Sequence, residues 1–316
     1  MTTPLDRNLA SRLSARWAVA GGMLCLVGLL LTGAAVRLLP SVEARDAVVL
    51  HDFARLATPR ATPWEGVVAS IVDTGPAILL GIVLIAVALA RRRIRLAVLV
   101  AVVPAGACAT TEAIKALYRV PRYSTMLVPH RFAAHAWPSG HSTAIMSMVL
   151  CAVIVAPRHL RTVIATLGAL LALGVSFSLL ALKWHFPSDV VGGYLMAGTW
   201  TCFGVAALRA IDDRWPANAN PQPLLGRHRA LAPIARQLER LGPTLARLAG
   251  GLAALKSAFG LLAFGAAAIL ALAVLTTRVP NALEFAAAHR LMIASAAVIA
   301  ALAVGLSTTL AAALRR

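Results

Sequence analysis

The apolar positions of this chain fall in long unbroken runs, not in the alternation or stripes of half-buried strands and helices. Eight such runs can be drawn, at about residues 17–36, 67–90, 96–114, 141–157, 162–182, 190–208, 257–277 and 291–314. Most approach the ~20 residues that a helix needs to cross a hydrocarbon layer of about 30 Å. A backbone in lipid must satisfy its own hydrogen bonds, which selects helices for runs of this kind. The pattern predicts an all-α, polytopic membrane helix bundle of eight spans, six before a polar segment and two after it. Four regions follow: a first span with its outer loop (1–64), the core (65–211), a polar segment (212–256) and a two-helix membrane segment (257–316).

The first run follows a tail with Arg7, Arg12 and Arg16, and it is long for the apolar stretch of a cleaved signal peptide. Within the polar segment, Asp212 to Pro223 is rich in Pro and Asn and reads as a linker. Beyond it, Leu231, Ile234, Leu238, Leu241, Leu245, Leu248 and Leu252 recur at spacings of three and four, with arginines between them. Gly242-Pro243 breaks or kinks that stripe. A basic amphipathic helix results, suited either to an anionic membrane surface or to packing on the inner ends of the bundle.

Composition supports the membrane reading. Hydrophobic residues make up 59% of the chain and charged ones only 13%, against about 25% in soluble domains. The net charge of +18 would suit a nucleic-acid partner, but the basic residues sit in short clusters between apolar runs. With the N-terminus inside, inner segments hold 19 of the 30 Lys and Arg, which places both termini in the cytoplasm. Trp17, Trp64, Trp137, Trp184 and Trp215 lie near span ends, where amphipathic rings settle, whereas Trp200 lies within a span. Cys25, Cys108, Cys151 and Cys202 each sit in an apolar run without close pairing and read as small buried residues.

Three segments on the outer side concentrate polar residues, and charges at membrane depth point to function. They are Lys115-Ala-Leu-Tyr-Arg119-Val-Pro-Arg122, Pro138-Ser139-Gly140-His141 and His185-Phe-Pro-Ser-Asp189. Ser139-Gly140-His141 opens a helix, whose free N–H groups and positive dipole end suit an anion, and Gly140 allows close approach. Lys115, Arg119 and Arg122 add positive charge, and arginine grips phosphate oxygens in pairs. His185 and Asp189 are four apart and share a helix face. Asp189 can fix the imidazole's tautomer and leave the other nitrogen free to attack. His141 is a second imidazole able to protonate a leaving alkoxide. Two histidines, a carboxylate and a cationic cradle suit phosphoryl transfer.

These residues resemble the three motifs of the type 2 phosphatidic acid phosphatase (PAP2) family: K-x6-R-P, P-S-G-H and S-R-x5-H-x3-D. The first appears as Lys115-x6-Arg122 followed by Tyr123 in place of proline, the second is intact, and the third reads Ser178-Leu179-x5-His185-x3-Asp189. The resemblance spans about residues 65–208. It implies His185 as nucleophile, Asp189 as its partner, His141 as general acid, and Lys115, Arg122, Ser139 and Gly140 as phosphate ligands. Leu179 replaces an arginine that binds phosphate in the family. Lys183, one turn on, would share its face if the helix continues that far, although its ammonium lacks the guanidinium fork.

The resemblance implies an integral membrane phosphatase that cleaves a lipid phosphate or polyprenyl (pyro)phosphate through a phosphohistidine. Alternatives are a phosphotransferase between lipids, and a transporter or scaffold with a degenerate site, to which Leu179 lends support. No cofactor and no metal are expected, since H-E-x-x-H and clustered carboxylates are missing from the sequence. Asp73 and Glu112 are candidates to line the pocket or to pair with a cation there, and His130 and His135 lie in the loop before P-S-G-H. The expected setting is a bacterial cytoplasmic membrane with the site on its outer face. The expected partners are the lipid substrate and membrane lipids, with the C-terminal helices serving as an oligomer contact or a lipid path.

Overall fold

A computed structural model of the chain describes residues 4–57, 62–118, 137–215 and 282–314. Among these, every regular element is a helix: α1 (Pro4–Leu38), α2 (Pro40–Leu56), α3 (Thr62–Ser70), α4 (Thr74–Ala90), α5 (Ile94–Tyr118), α6 (Gly140–Val155), α7 (Arg161–Ala181), α8 (Pro187–Arg214), α9 (Ala282–Ala288) and α10 (Arg290–Ala313). Five stretches are long and apolar enough to cross a membrane: Ala15–Leu38 within α1, and α5, α7, α8 and α10. A sixth is counted if α3 and α4 form one bent span, and α6 is a shorter apolar helix. The seventh expected span and the basic amphipathic stripe lie outside the described residues.

The second expected span is not straight. It breaks between Ser70 and Thr74, and α3 and α4 meet at 47°. The cause is local: Pro76 has no N–H to give to the carbonyl of Val72, so the helical ladder fails there. Asp73 becomes the N-cap of α4, yet its side chain makes no capping hydrogen bond. That leaves its carboxylate for another partner.

α2 lies in the expected outer loop, between the first two expected spans. Pro40 occupies its first turn, where the missing N–H costs nothing. Val49, Leu50, Phe53 and Leu56 form its buried stripe and join the main core with residues of α6, α7 and α8.

α6 is the axis of the bundle. Nearly all of its residues are buried, and α4, α5, α7, α8 and α10 pack around it. A helix apolar on every side belongs in such a position. α10 is integral to this core: Met292, Ile299 and Ala303 join the main cluster, and Ala311 packs with Val153 and Ala165. Small residues facing one another on α7 and α10 allow close helix approach, the usual basis of helix packing in lipid.

The two ends of the bundle differ in chemistry. At the C-terminal end of α6, arginines hydrogen-bond helix carbonyls that have no partner within their own helix. Arg91 donates to Val155 O, Arg161 to Ala156 O and Leu314 O, and Arg95 to Trp215 O and Asp212. Such contacts satisfy C-terminal carbonyls and complement the negative dipole ends. The polar motifs gather at the opposite end, around the N-terminus of α6.

Candidate active site

The site is assembled where three helix ends meet. Ser139 is the N-cap of α6: its hydroxyl accepts from Ser142 N–H at 3.2 Å, and its carbonyl accepts from Thr143 N–H. Serine is favoured here because it satisfies one of the first free N–H groups of the helix. The N–H groups of Gly140 and His141 come next and have no partner among the described residues. They face the end of the bundle with the positive dipole behind them.

α8 begins two residues after His185. Phe186 is its N-cap and Pro187 opens its first turn, while Asp189 Oδ2 reaches back to accept from Phe186 N–H at 2.9 Å. Asp189 is fully buried and its Oδ2 also faces His185 Nδ1 at 3.5 Å. The two residues therefore meet as the spacing suggested, although His185 lies before the helix rather than on it. The carboxylate is locked by its capping role, and it can serve the imidazole without a change of rotamer. At 3.5 Å the pair is longer than a good hydrogen bond, and Nδ1 has no other partner.

Backbone contact ties the two helix starts together. Ser139 N–H donates to Asp189 O at 3.0 Å. One turn along α8, Gly193 has no room for a side chain: a Cβ would lie 2.7 Å from Ser139 O and 2.9 Å from Thr143 N. Gly192 does the same for Trp137 and Pro138, with clearances of 2.8 and 3.0 Å. These glycines let α8 close onto the Pro138–His141 turn. The motif reading passed over both, and the Gly-Gly pair inside an apolar span was the available signal.

The two imidazoles then stand side by side. The rings of His141 and His185 are 5.8 Å apart, and Trp184 lies 6.0 Å from His141. Asp73, freed by the break between α3 and α4, places Oδ1 3.3 Å from His141 Nε2. Each histidine therefore has one carboxylate against one nitrogen. Sequence reading offered Asp73 a cationic site partner without saying which, and that partner is His141.

Lys115, near the end of α5, brings positive charge to the α6 N-terminus. Its ammonium pairs with Glu112 at 2.7 Å, so Glu112 serves as a neighbour of the site lysine. A Cβ at Gly140 would lie 3.4 Å from both Lys115 Nζ and Glu112 Oε1. The missing side chain thus leaves open the space between the helix N-terminus and the ammonium. Arg119, Arg122, Tyr123, His130 and His135 lie outside the described residues.

The substituted arginine position holds a buried leucine. Leu179 is fully buried in the main apolar cluster. Lys183 does not continue its helical face, because α7 ends at Ala181. Lys183 N–H bonds Leu180 O and Trp184 N–H bonds Leu179 O, the two bonds of a Schellman termination. Lys183 accordingly takes φ 59°, where glycine is usual. Lys183 therefore does not share a helical face with Leu179, because that face ends before it.

Comparison with known proteins agrees with this architecture. Residues 95–212 match the family model of the PAP2 superfamily. The fold is similar to that of the transmembrane PAP2-type phosphatidylglycerolphosphate phosphatase from Bacillus subtilis, with a TM-score of 0.51 at 18% identity. That likeness covers 63% of this chain and 99% of the other. Among curated proteins no sequence matches.

Proposed function

We propose that this chain, whose residues 95–212 match the PAP2 superfamily model, is an integral-membrane lipid phosphatase that works through a phosphohistidine at His185. The observation that carries the reading is the convergence of His185, Asp189 and His141 on the N-terminus of α6, beside Lys115.

The chemistry follows from that layout. Asp189 holds the proton on His185 Nδ1 and leaves the Nε2 lone pair to attack phosphorus. The P–O bond to the lipid breaks as the N–P bond forms. His141 gives its proton to the departing alkoxide, through the nitrogen that does not face Asp73. Asp73 stabilises the imidazolium that makes this donation. Gly140 N–H, His141 N–H and the Lys115 ammonium hold the phosphoryl oxygens, whose charge is spread in the transition state. In the second half, His141 takes a proton from water, the water oxygen attacks phosphorus, and the N–P bond breaks to return His185 and release phosphate.

The arginine-rich end of the bundle is the cytoplasmic one in this reading, which puts the site on the outer face. The Bacillus subtilis neighbour is a phosphatidylglycerolphosphate phosphatase by its description, and a phosphorylated lipid is the substrate class proposed for this chain. The deciding experiment is phosphate release from a panel of lipid phosphates by purified protein in EDTA. His185→Ala is expected to abolish release, and wild-type protein quenched during turnover is expected to carry phosphate on the peptide containing His185. Folded wild-type protein that releases phosphate from none of the panel would overturn the reading.

A further inference from the structure

A cavity of about 600 Å³ lies between α1, α5 and α8. Helices α1 and α5 both pack on α8, and the space between them is open to the outside at Leu30 and Val102, which line it and are exposed. Along α5 the lining runs from Val102 to Tyr118. The sixteen steps between them, at 1.5 Å rise each, make a path of about 24 Å. That is more than one leaflet, about half of a 30 Å hydrocarbon layer.

The lining offers a ligand almost nothing polar. The hydroxyl of Thr110 donates to Gly106 O at 2.7 Å, and that of Thr199 donates to Leu195 O at 2.8 Å. The indole N–H of Trp200 is also taken, by Thr110 Oγ1 at 3.2 Å. Trp200 is the one tryptophan that does not sit near a span end, and here it lines the groove. Its ring lies against α5 where Gly106 leaves only 2.5 Å to an added Cβ. Along the path the polar groups of Thr110, Thr199 and Trp200 are already paired, and only at the site end does Trp137 Nε1 lack a partner; such a walled, apolar path suits a hydrocarbon chain.

The site end of the groove has different chemistry. Trp137 directly precedes Pro138-Ser139, and Tyr118 stands three residues beyond Lys115 at the end of α5. Both line the groove, and their rings are 5.7 Å apart. Arg37 of α1 bridges across to Tyr118. Its Nη1 donates to Tyr118 O at 2.8 Å, and its guanidinium lies 5.2 Å from the Tyr118 ring. Arg37 has no carboxylate partner among the described residues. An apolar channel capped by a cation beside the catalytic turn matches an amphiphile with an anionic head.

We propose that this groove seats one hydrocarbon chain of the substrate lipid, with Arg37 at its rim against the anionic headgroup. The word substrate rests on the phosphatase reading. Continuity with Trp137 and the Pro138–His141 turn assigns the chain to the reacting lipid rather than to a bystander. The gain for the enzyme is orientation: a chain leaving bilayer for groove trades one apolar medium for another, so little affinity is expected from it.

Photolabelling tests this directly. His185→Ala protein in nanodiscs would be labelled with phosphatidic acid carrying a diazirine near the chain end. Label is expected at Val102 and between Phe203 and Ala207. Excess unlabelled phosphatidic acid should displace it and phosphatidylcholine should not, and Arg37→Gln should reduce it. Label confined to outward positions such as Ile78 and Ile82 of α4, or displaced equally by both lipids, would overturn the proposal. In a second arm, Ala207→Trp narrows the groove. Overpacking of that kind should lower the ratio of long-chain to short-chain phosphate release by about tenfold. An unchanged ratio would also overturn it. Failure of wild-type protein to release phosphate from any lipid would sink the phosphatase reading alone, because the labelling arm still decides whether the groove takes the chain of an anionic lipid.

Discussion

Gly193→Ala adds one methyl at a point of close approach between α8 and the start of α6. That methyl would sit 2.7 Å from Ser139 O, 2.8 Å from Ser142 Cβ and 2.9 Å from Thr143 N. Two of these are backbone atoms of α6, so no flexible side chain can yield. Restoring ordinary contact at about 3.4 Å requires α6 and α8 to part by about 0.7 Å. The Ser139 N–H to Asp189 O bond, now 3.0 Å, lies one turn away on the same face and would stretch with them. Overpacking of this kind costs about 1–3 kcal/mol of stability. The chemical effect should be larger, because a displacement near 1 Å at a reacting centre costs about a hundredfold in rate. The assay pairs a thermal melt with phosphate release, and Gly305→Ala serves as control because a Cβ there meets nothing within 4 Å. Gly193→Ala should melt earlier than wild type and lose most of its turnover, while the control holds or gains stability, as helical glycine-to-alanine changes do. A Gly193→Ala protein with wild-type melting and turnover would refute the idea that close approach of α6 and α8 sets the site.

Other substitutions probe single features. Asp73→Asn keeps the shape at His141 and removes the charge, so kcat should fall about tenfold with KM little changed; a raised KM at constant kcat would argue against a role beside the general acid. Leu179→Arg places an unpaired cation in the main core, and a loss of roughly 3–5 kcal/mol in a denaturation series is expected without any gain in turnover. Lys183→Gly relieves the left-handed backbone and should add about 1 kcal/mol to stability. If its phosphate release falls at the same time, the ammonium rather than the backbone is what that position keeps.

Much of the site was written in order along the chain. Lys115, Ser139, Gly140, His141, His185 and Asp189 stand at motif spacings, and their types suit the proposed anion cradle and two proton carriers. The helix starts were also legible: Ser139 caps α6, and Pro187 with Asp189 opens α8, each by chemistry confined to a single turn. The break before α4 was readable from Pro76, and α2 from Pro40 with Val49, Leu50, Phe53 and Leu56. Both depart from the simple pattern in which apolar runs are straight spans and polar ones are loops.

Other features had no local signature. That Asp73 meets His141 depends on where the break in one span falls against the start of another, 68 residues later. That Gly193 must be glycine depends on Ser139 and Thr143 of a different helix. Leu179 reads as a lost ligand, and only packing shows it absorbed into the core; Lys183 reads as its replacement until the helix ends at Ala181. The sequence alone determined which segments are helical and which residue types the chemistry has available, because lipid enforces backbone hydrogen bonding within each span and caps act within a turn. The tertiary structure alone decided which of those residues meet, because helix–helix approach in an apolar medium is set by side-chain volume between segments far apart in the chain.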